Sequence, residues 1–293
     1  MSKESPISSE TLISEYMNLL RRSPAAPEIA IPFLSDALPV RAPRRSCALL
    51  LSPHPDDECL TGALPLRLSR EQRWQIVNLA VTLGSYAERR EERKAELAKA
   101  CAVLGFDCAL PQPNGFENVT TDARSGDAPA WQEKVACLAE IIAHYEPQAV
   151  FLPHAQDAHP AHIGTHLLGM DALAQQAPDF SCAVIQTEYW HPLADPNLMI
   201  GVGEKDAATL LSALACHVGE VARNPYDARF PAFLIDNVRR GSERVGGKGA
   251  ASAAADFAML YKLGIWKNGK FVPSALKRAK GADESVGDLV SPR

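Results

Sequence analysis

The sequence predicts an α/β fold: a mostly parallel sheet covered by helices on both faces. Three observations carry that expectation. Apolar runs of strand length, such as Cys47–Leu51 and Ala149–Pro153, alternate with longer amphipathic stretches of helical period. The runs are apolar throughout rather than alternating, as strands buried on both faces are. The chain has 293 residues and 46% hydrophobic content, enough to fill a core on each side of a sheet.

Each element has its own signal. Residues 9–22 place Leu12, Ile13, Tyr16, Met17, Leu19 and Leu20 on one side of a short helix. Prolines at 24, 27, 32, 39 and 43 make the next stretch an irregular connector over the surface. Cys47–Leu51 is the first buried strand. Residues 57–69 form a helix, with Asp57 and Glu58 near its positive end. Ile76–Thr82 is a strand, and 87–104 is a charged helix that Gly105 caps. A short strand around 107–110 leads into the loop Pro111–Gly126. Residues 129–145 are helical, Ala149–Pro153 is a strand, and 161–176 are helical. Cys182–Glu188 and Leu198–Val202 are further strands. Residues 204–221, 231–240 and 253–264 read as helices, with a glycine-rich loop over Gly241–Gly249. The chain thus divides into an N-terminal helix and connector (1–45), an α/β domain (46–270), and a polar, disordered tail (271–293).

Composition excludes several roles. A net charge of -5 argues against nucleic acid or an anionic membrane as the main partner. No apolar run approaches the length of a membrane span, and Met1–Ser5 lacks the order of a signal peptide. A cytoplasmic protein is expected, with homo-oligomer formation left open. The seven cysteines are odd in number, contain no CxxC and sit mostly in apolar segments, so they read as buried reduced thiols.

The chemistry concentrates at two strand ends. Ser52-Pro53-His54-Pro55-Asp56-Asp57-Glu58 follows the first buried strand, and Asp157-Ala158-His159-Pro160-Ala161-His162 follows Ala149–Pro153. Carboxylates packed this closely repel one another unless a cation lies among them. Sheets of this kind bind ligands beyond the carboxyl ends of their strands. The pattern points to one divalent-metal site, zinc above others, with His54, Asp57 and His162 as ligands and one position left open. His166, one helical turn after His162, reads as a buried polar residue behind the site, with a ligand role as the alternative. Asp56 is the candidate general base. His159 is the candidate acid and oxyanion donor, with Asp157 orienting it. The reaction so implied is hydrolysis of an amide or ester.

The motif Pro53-His54-Pro55-Asp56-Asp57-Glu58, with His159-Pro160-Ala161-His162, resembles the PIG-L/LmbE family of zinc-dependent N-deacetylases. The likeness runs from about residue 46 to about residue 170. It implies a Rossmann-like three-layer α/β/α fold and removal of the N-acetyl group from an N-acetylglucosamine-type amino sugar or its conjugate. By the match, His54, Asp57 and His162 hold the metal, Asp56 is the base and His159 the electrophilic histidine. Arg93, in Arg93-Lys94-Ala95-Glu96-Leu97, is similar to a family arginine that contacts substrate. Lys205 to His217 resembles a C-terminal Lys…His segment, so His217 is expected at the pocket, with Asp157 as a further pocket residue. The chain departs from the family at Ala161, where an aspartate is usual, and at Asn114-Gly115, where Asp-Gly is common. The alternatives are a metal-dependent hydrolase of another amide or ester, and a non-catalytic sugar-binding homologue.

Overall fold

The computed structural model describes residues 6–32, 34–249 and 255–290. In chain order these form α1 (Ser9–Leu19), β1 (Cys47–Ser52), α2 (Asp57–Leu60), α3 (Ala63–Gln72), β2 (Gln75–Ala80), α4 (Arg90–Leu104), β3 (Asp107–Ala109), α5 (Thr121–Gly126) and α6 (Ala128–Tyr145). There follow β4 (Ala149–Pro153), α7 (Pro160–Ala174), β5 (Cys182–Thr187), β6 (Leu198–Val202), α8 (Glu204–Leu214), α9 (Val218–Arg223), α10 (Tyr226–Arg244), β7 (Phe257–Lys267), β8 (Lys270–Pro273) and β9 (Arg278–Lys280).

The strands join in the order β3-β2-β1-β4-β5-β7-β6-β9, with β8 added against β7. From β3 to β5 every pairing is parallel. Beyond β5 the sheet is mixed: β7 runs antiparallel to both β5 and β6, and β9 is parallel to β6. The strand order reverses between β1 and β4, which opens a crevice at their carboxyl ends. Both sequence clusters lie there.

Side-chain alternation along β1 explains the apolar run. Ala48 and Leu50 face one core, with helices α2, α3, α4, α8 and α10; Cys47, Leu49 and Leu51 face the other, with α6 and α7. The three-layer arrangement expected from the sequence is therefore present. Among the described residues, no helix is long and apolar enough to cross a membrane.

Several expectations need correction. Residues 253–264 were expected as a helix, but Phe257–Lys267 is β7, the longest strand, lying between β5 and β6 (253 and 254 fall outside the described residues). Without it those two strands would each present an unpaired edge. The stretch 57–69 is two helices, because the chain turns at Gly62, where a Cβ would lie 2.2 Å from the Glu58 carbonyl oxygen. Residues 204–221 break at Ala215–His217 into α8 and α9. The segment 271–293 is no loose tail over its described part. Val286, Leu289 and Val290 enter the core, and buried Arg67 clamps the Gly201, Gly281 and Glu284 carbonyls. The helix at the N-terminus forms, but none of its residues is buried.

Candidate functional site

The corner after β1 brings the motif together. Asp56 has φ 119°, ψ −28°, a left-handed conformation that a non-glycine residue adopts at a cost of about 1–3 kcal/mol. The strain is held from several sides. The Asp56 backbone N–H donates to Glu58 Oε2 at 2.9 Å, its carbonyl accepts from Cys59 and Leu60, and Arg93 Nη2 donates to the Pro55 carbonyl at 3.1 Å. Asp57 Oδ2 accepts the His54 backbone N–H at 2.9 Å and lies 3.6 Å from His54 Nδ1.

The second cluster arrives on α7. His159 caps that helix, its Nδ1 accepting the Ala161 N–H at 3.2 Å, and Pro160 suits the first helical position. His162, one turn in, places Nε2 3.4 Å from Asp57 Oδ2. Gly164 lets α7 approach the cleft wall: a Cβ there would lie 2.2 Å from the Val119 carbonyl oxygen. The rings of His54, His159 and His162 pack with centroids 5.0 to 5.5 Å apart.

This donor set fits a divalent cation. Among the described residues, buried His162 Nε2 has no hydrogen-bond partner, while its Nδ1 faces Asp157 Oδ2 at 3.4 Å. A carboxylate behind one ring nitrogen fixes the tautomer and leaves the other nitrogen's lone pair free to ligate. Two imidazoles and one carboxylate are a zinc-type set with a position to spare. His159 also offers a nitrogen within 4.8 Å of those of His54 and His162. Its Nδ1 is engaged with a backbone N–H, so the neutral ring carries its proton on Nε2 and acts there as a donor.

The electrostatics separate the two aspartates. Burial, then the charge of Asp57, pushes the Asp56 carboxyl well above the ordinary carboxylate range. Burial alone would raise Asp57 too, but His162 and the hydrogen-bonded His54 outweigh it and hold Asp57 down to about 2. Burial, reinforced by His54 and His162, lowers His159 to about 4. One carboxylate is thus suited to permanent charge and its neighbour to proton exchange.

A cleft of about 660 Å³ opens over these groups. His54, Asp56, Asp57 and His159 form its floor, and Arg93, Phe116, Asn118, Trp190 and Tyr226 are among its walls. Arg93 reaches the cleft, but its guanidinium is largely occupied in tying the Leu83 and Pro55 carbonyls together. Two expectations differ from the structure. Asp157 does not face the cleft; it lies behind His162 and accepts the His159 backbone N–H, so it aligns His162 rather than the His159 ring. His217 is fully buried and bonded to Glu58, away from the cleft. His166 points its Nδ1 at the Pro153 carbonyl and stands apart from the triad. Sequence reasoning missed Glu220, which binds Arg89 and Arg223 at the cleft wall, and read Glu58 only as a helix-end charge. The signal for Glu58 was present in its place within the motif; Glu220 had none.

Comparison with known proteins bears on the fold and on part of the chain. Residues 49–173 match the PIG-L family, described as GlcNAc-PI de-N-acetylase. A 1D-myo-inositol 2-acetamido-2-deoxy-alpha-D-glucopyranoside deacetylase of Mycolicibacterium gilvum is 28% identical over 185 residues, which are 53% of this chain and 62% of that protein. The chain thus aligns with less than two thirds of that relative's length. Two solved structures share the fold. The 4-carboxy-2-hydroxymuconate hydratase of Pseudomonas putida KT2440 superposes with a TM-score of 0.56 at 16% identity, covering 74% of this chain and 95% of its own. The N,N'-diacetylchitobiose deacetylase of Pyrococcus horikoshii gives 0.56 at 13% identity, covering 89% and 94%. At such identities the likeness speaks for the fold alone, and the fold serves more than one reaction. The segment that is similar to the PIG-L family contains His54, Asp56, Asp57, Asp157, His159 and His162.

Proposed function

We propose that the protein is a zinc-dependent hydrolase that removes the acetyl group from an N-acetylglucosamine-type amino sugar or its conjugate. The observation that carries this reading is the buried His162 Nε2, unpartnered among the described residues and beside Asp57 Oδ2, directly behind a cleft lined by His54, Asp56, Asp57 and His159. His54, Asp57 and His162 would hold the ion. A zinc ion there supplies Lewis acidity, lowering the pKa of an attached water toward about 7 and polarising the acyl oxygen.

The chain's own groups do the rest. Asp56 accepts a proton from the attacking water as its oxygen bonds to the acetyl carbon. Neutral His159 donates its Nε2–H to the developing oxyanion. The C–N bond then breaks as Asp56 passes its proton to the nitrogen, giving acetate and a free amine. A pKa of about 4 keeps the His159 ring neutral, which favours the oxyanion role over that of acid. Exposed Trp190 and the Phe116 and Tyr226 rings offer apolar faces for a sugar, with Asn118 and Thr82 as polar contacts. The family description and the named relative, both deacetylases of N-acetylglucosamine conjugates, support the substrate class.

The test is acetate release from N-acetylated amino sugars, free, oligomeric and inositol-linked, with metal content measured on the same sample. Chelation should stop release and zinc restore it. Asp56→Asn should keep the ion yet lose about 10²–10⁴-fold in turnover. Wild-type turnover in that variant would sink the assignment of Asp56.

A further inference from the structure

Glu58 and His217 are the most completely buried charged and titratable pair beside the site, and nothing in the reaction above uses them. His217 Nε2 lies 2.6 Å from Glu58 Oε1. Among the described residues only Nε2 of this ring meets an acceptor and Nδ1 has no partner, so the shared proton belongs on Nε2. The other oxygen of Glu58 accepts the backbone N–H of Asp56. That N–H belongs to the residue with φ 119°, which also carries the base. His217 is itself anchored: it caps α9, whose Glu220 and Val221 amides bind its carbonyl.

We propose that Glu58 and His217 form a positioning dyad that holds Asp56 in the left-handed conformation from which its carboxylate faces the cleft. A carboxylate rotating about its last bond would lose alignment with the Asp56 N–H. The His217 bond fixes that rotation, because it engages Oε1 while Oε2 holds the backbone. The strained residue is thus secured by a side chain from its own turn, which is in turn secured by the residue that caps α9. Neither member touches substrate; both act through Asp56. This inference rests on Asp56 being the base of the proposed reaction.

The experiment uses the full-length zinc-loaded protein with N,N'-diacetylchitobiose and N-acetylglucosamine as probes. His217→Leu should lower kcat about 100-fold, as a misplaced catalytic group does, with KM and zinc content unchanged. His217→Gln, whose amide can put an N–H where Nε2–H stood, should recover most of kcat. Asp56→Asn combined with His217→Leu should be no slower than Asp56→Asn alone, because the dyad acts only through Asp56. Wild-type kcat in His217→Leu, or a double variant slower than Asp56→Asn by the full His217→Leu factor, overturns the dyad while leaving the reaction standing. If His217→Leu does not fold, Glu58→Gln carries the same expectations, because an amide cannot accept from both donors as the carboxylate does. If the wild type releases no acetate from either probe, the proposed reaction is what has failed. The dyad is then decided by a crystal structure of Glu58→Gln: Asp56 should leave the positive-φ region, and a retained φ overturns it.

Discussion

His54 and Asp57 line the cleft side of the corner after β1, with buried His162 against Asp57; Glu58, Cys59 and His217 lie on its core side. Each group has three side chains of metal-ligand type: Asp57 Oδ2 lies 3.6 Å from His54 Nδ1 and 3.4 Å from His162 Nε2, and Glu58, Cys59 and His217 offer ligand atoms within 4.8 Å of one another. They differ in what is left unsatisfied. On the cleft side the imidazole nitrogen that faces the carboxylate, His162 Nε2, has no partner among the described residues, and Asp57 is held at about 2. On the core side the nitrogen facing the carboxylate, His217 Nε2, already bonds Glu58, and the unpartnered one is Nδ1. On the core side the carboxylate already accepts from Asp56, His217 and Cys59. Burial and then the Glu58 charge push the Cys59 thiol well up, whereas it is a thiolate that ligates metal. Residue type therefore does not distinguish a metal centre from a hydrogen-bond network; spare lone pairs and access do.

The strongest way to break this contrast is to remove the orphaned nitrogen. His162→Ala should abolish stoichiometric zinc and, with it, turnover, since two protein ligands seldom suffice for a catalytic site. Metal analysis on the purified variant reads this directly. Zinc retained at one per chain would mean the ion sits elsewhere, with the core-side cluster the first place to look.

A lesser effect is expected behind the triad. Asp157→Asn keeps an oxygen for the His159 backbone N–H but removes the charge opposite His162 Nδ1. Loss of such a partner typically costs about 10–100-fold in metal affinity. Competition against a chelator measures it. An unchanged affinity would mean that Asp157 serves the turn alone, and that the change to Ala161 leaves the histidines without a carboxylate behind them.

How much of this could be read in advance follows the range of the interactions. β1 and β4 end in their charged clusters within one local stretch, so both strands and the residues His54, Asp56, Asp57, His159 and His162 were legible together. β7 was not, because its strand character depends on β5 and β6, and its own residues are equally at home in an amphipathic helix. Asp157 was placed at the right corner but assigned to the wrong histidine, since a turn spacing does not say which ring a carboxylate meets. Glu58 could not be understood without His217, which is 159 residues away in sequence. Arg93 was expected at the substrate from the family resemblance and does line the cleft, but its hold on the Pro55 carbonyl is invisible until the corner is folded. The described part of the tail looked loose because its few apolar residues, Val286, Leu289 and Val290, are outnumbered by polar ones, yet they are the ones that dock.

The smallest expected effect is the sharpest test of the core-side cluster. Cys59→Ala removes the weakest donor to Glu58, an Sγ at 3.4 Å, and leaves the Asp56 and His217 bonds in place. Its cost should be confined to the missing buried atom, about 1 kcal/mol of stability in a denaturant titration. Zinc content should remain one per chain and turnover should hold, because Cys59 neither ligates nor orients. If the wild type instead carries two ions and the variant one, the thiol has been a ligand, the core-side cluster binds metal, and the contrast between the two sides of the corner disappears. A second ion so close to Asp57 would also lower the charge on the motif and alter the base itself, so the stoichiometry bears on the reaction as well as on the fold.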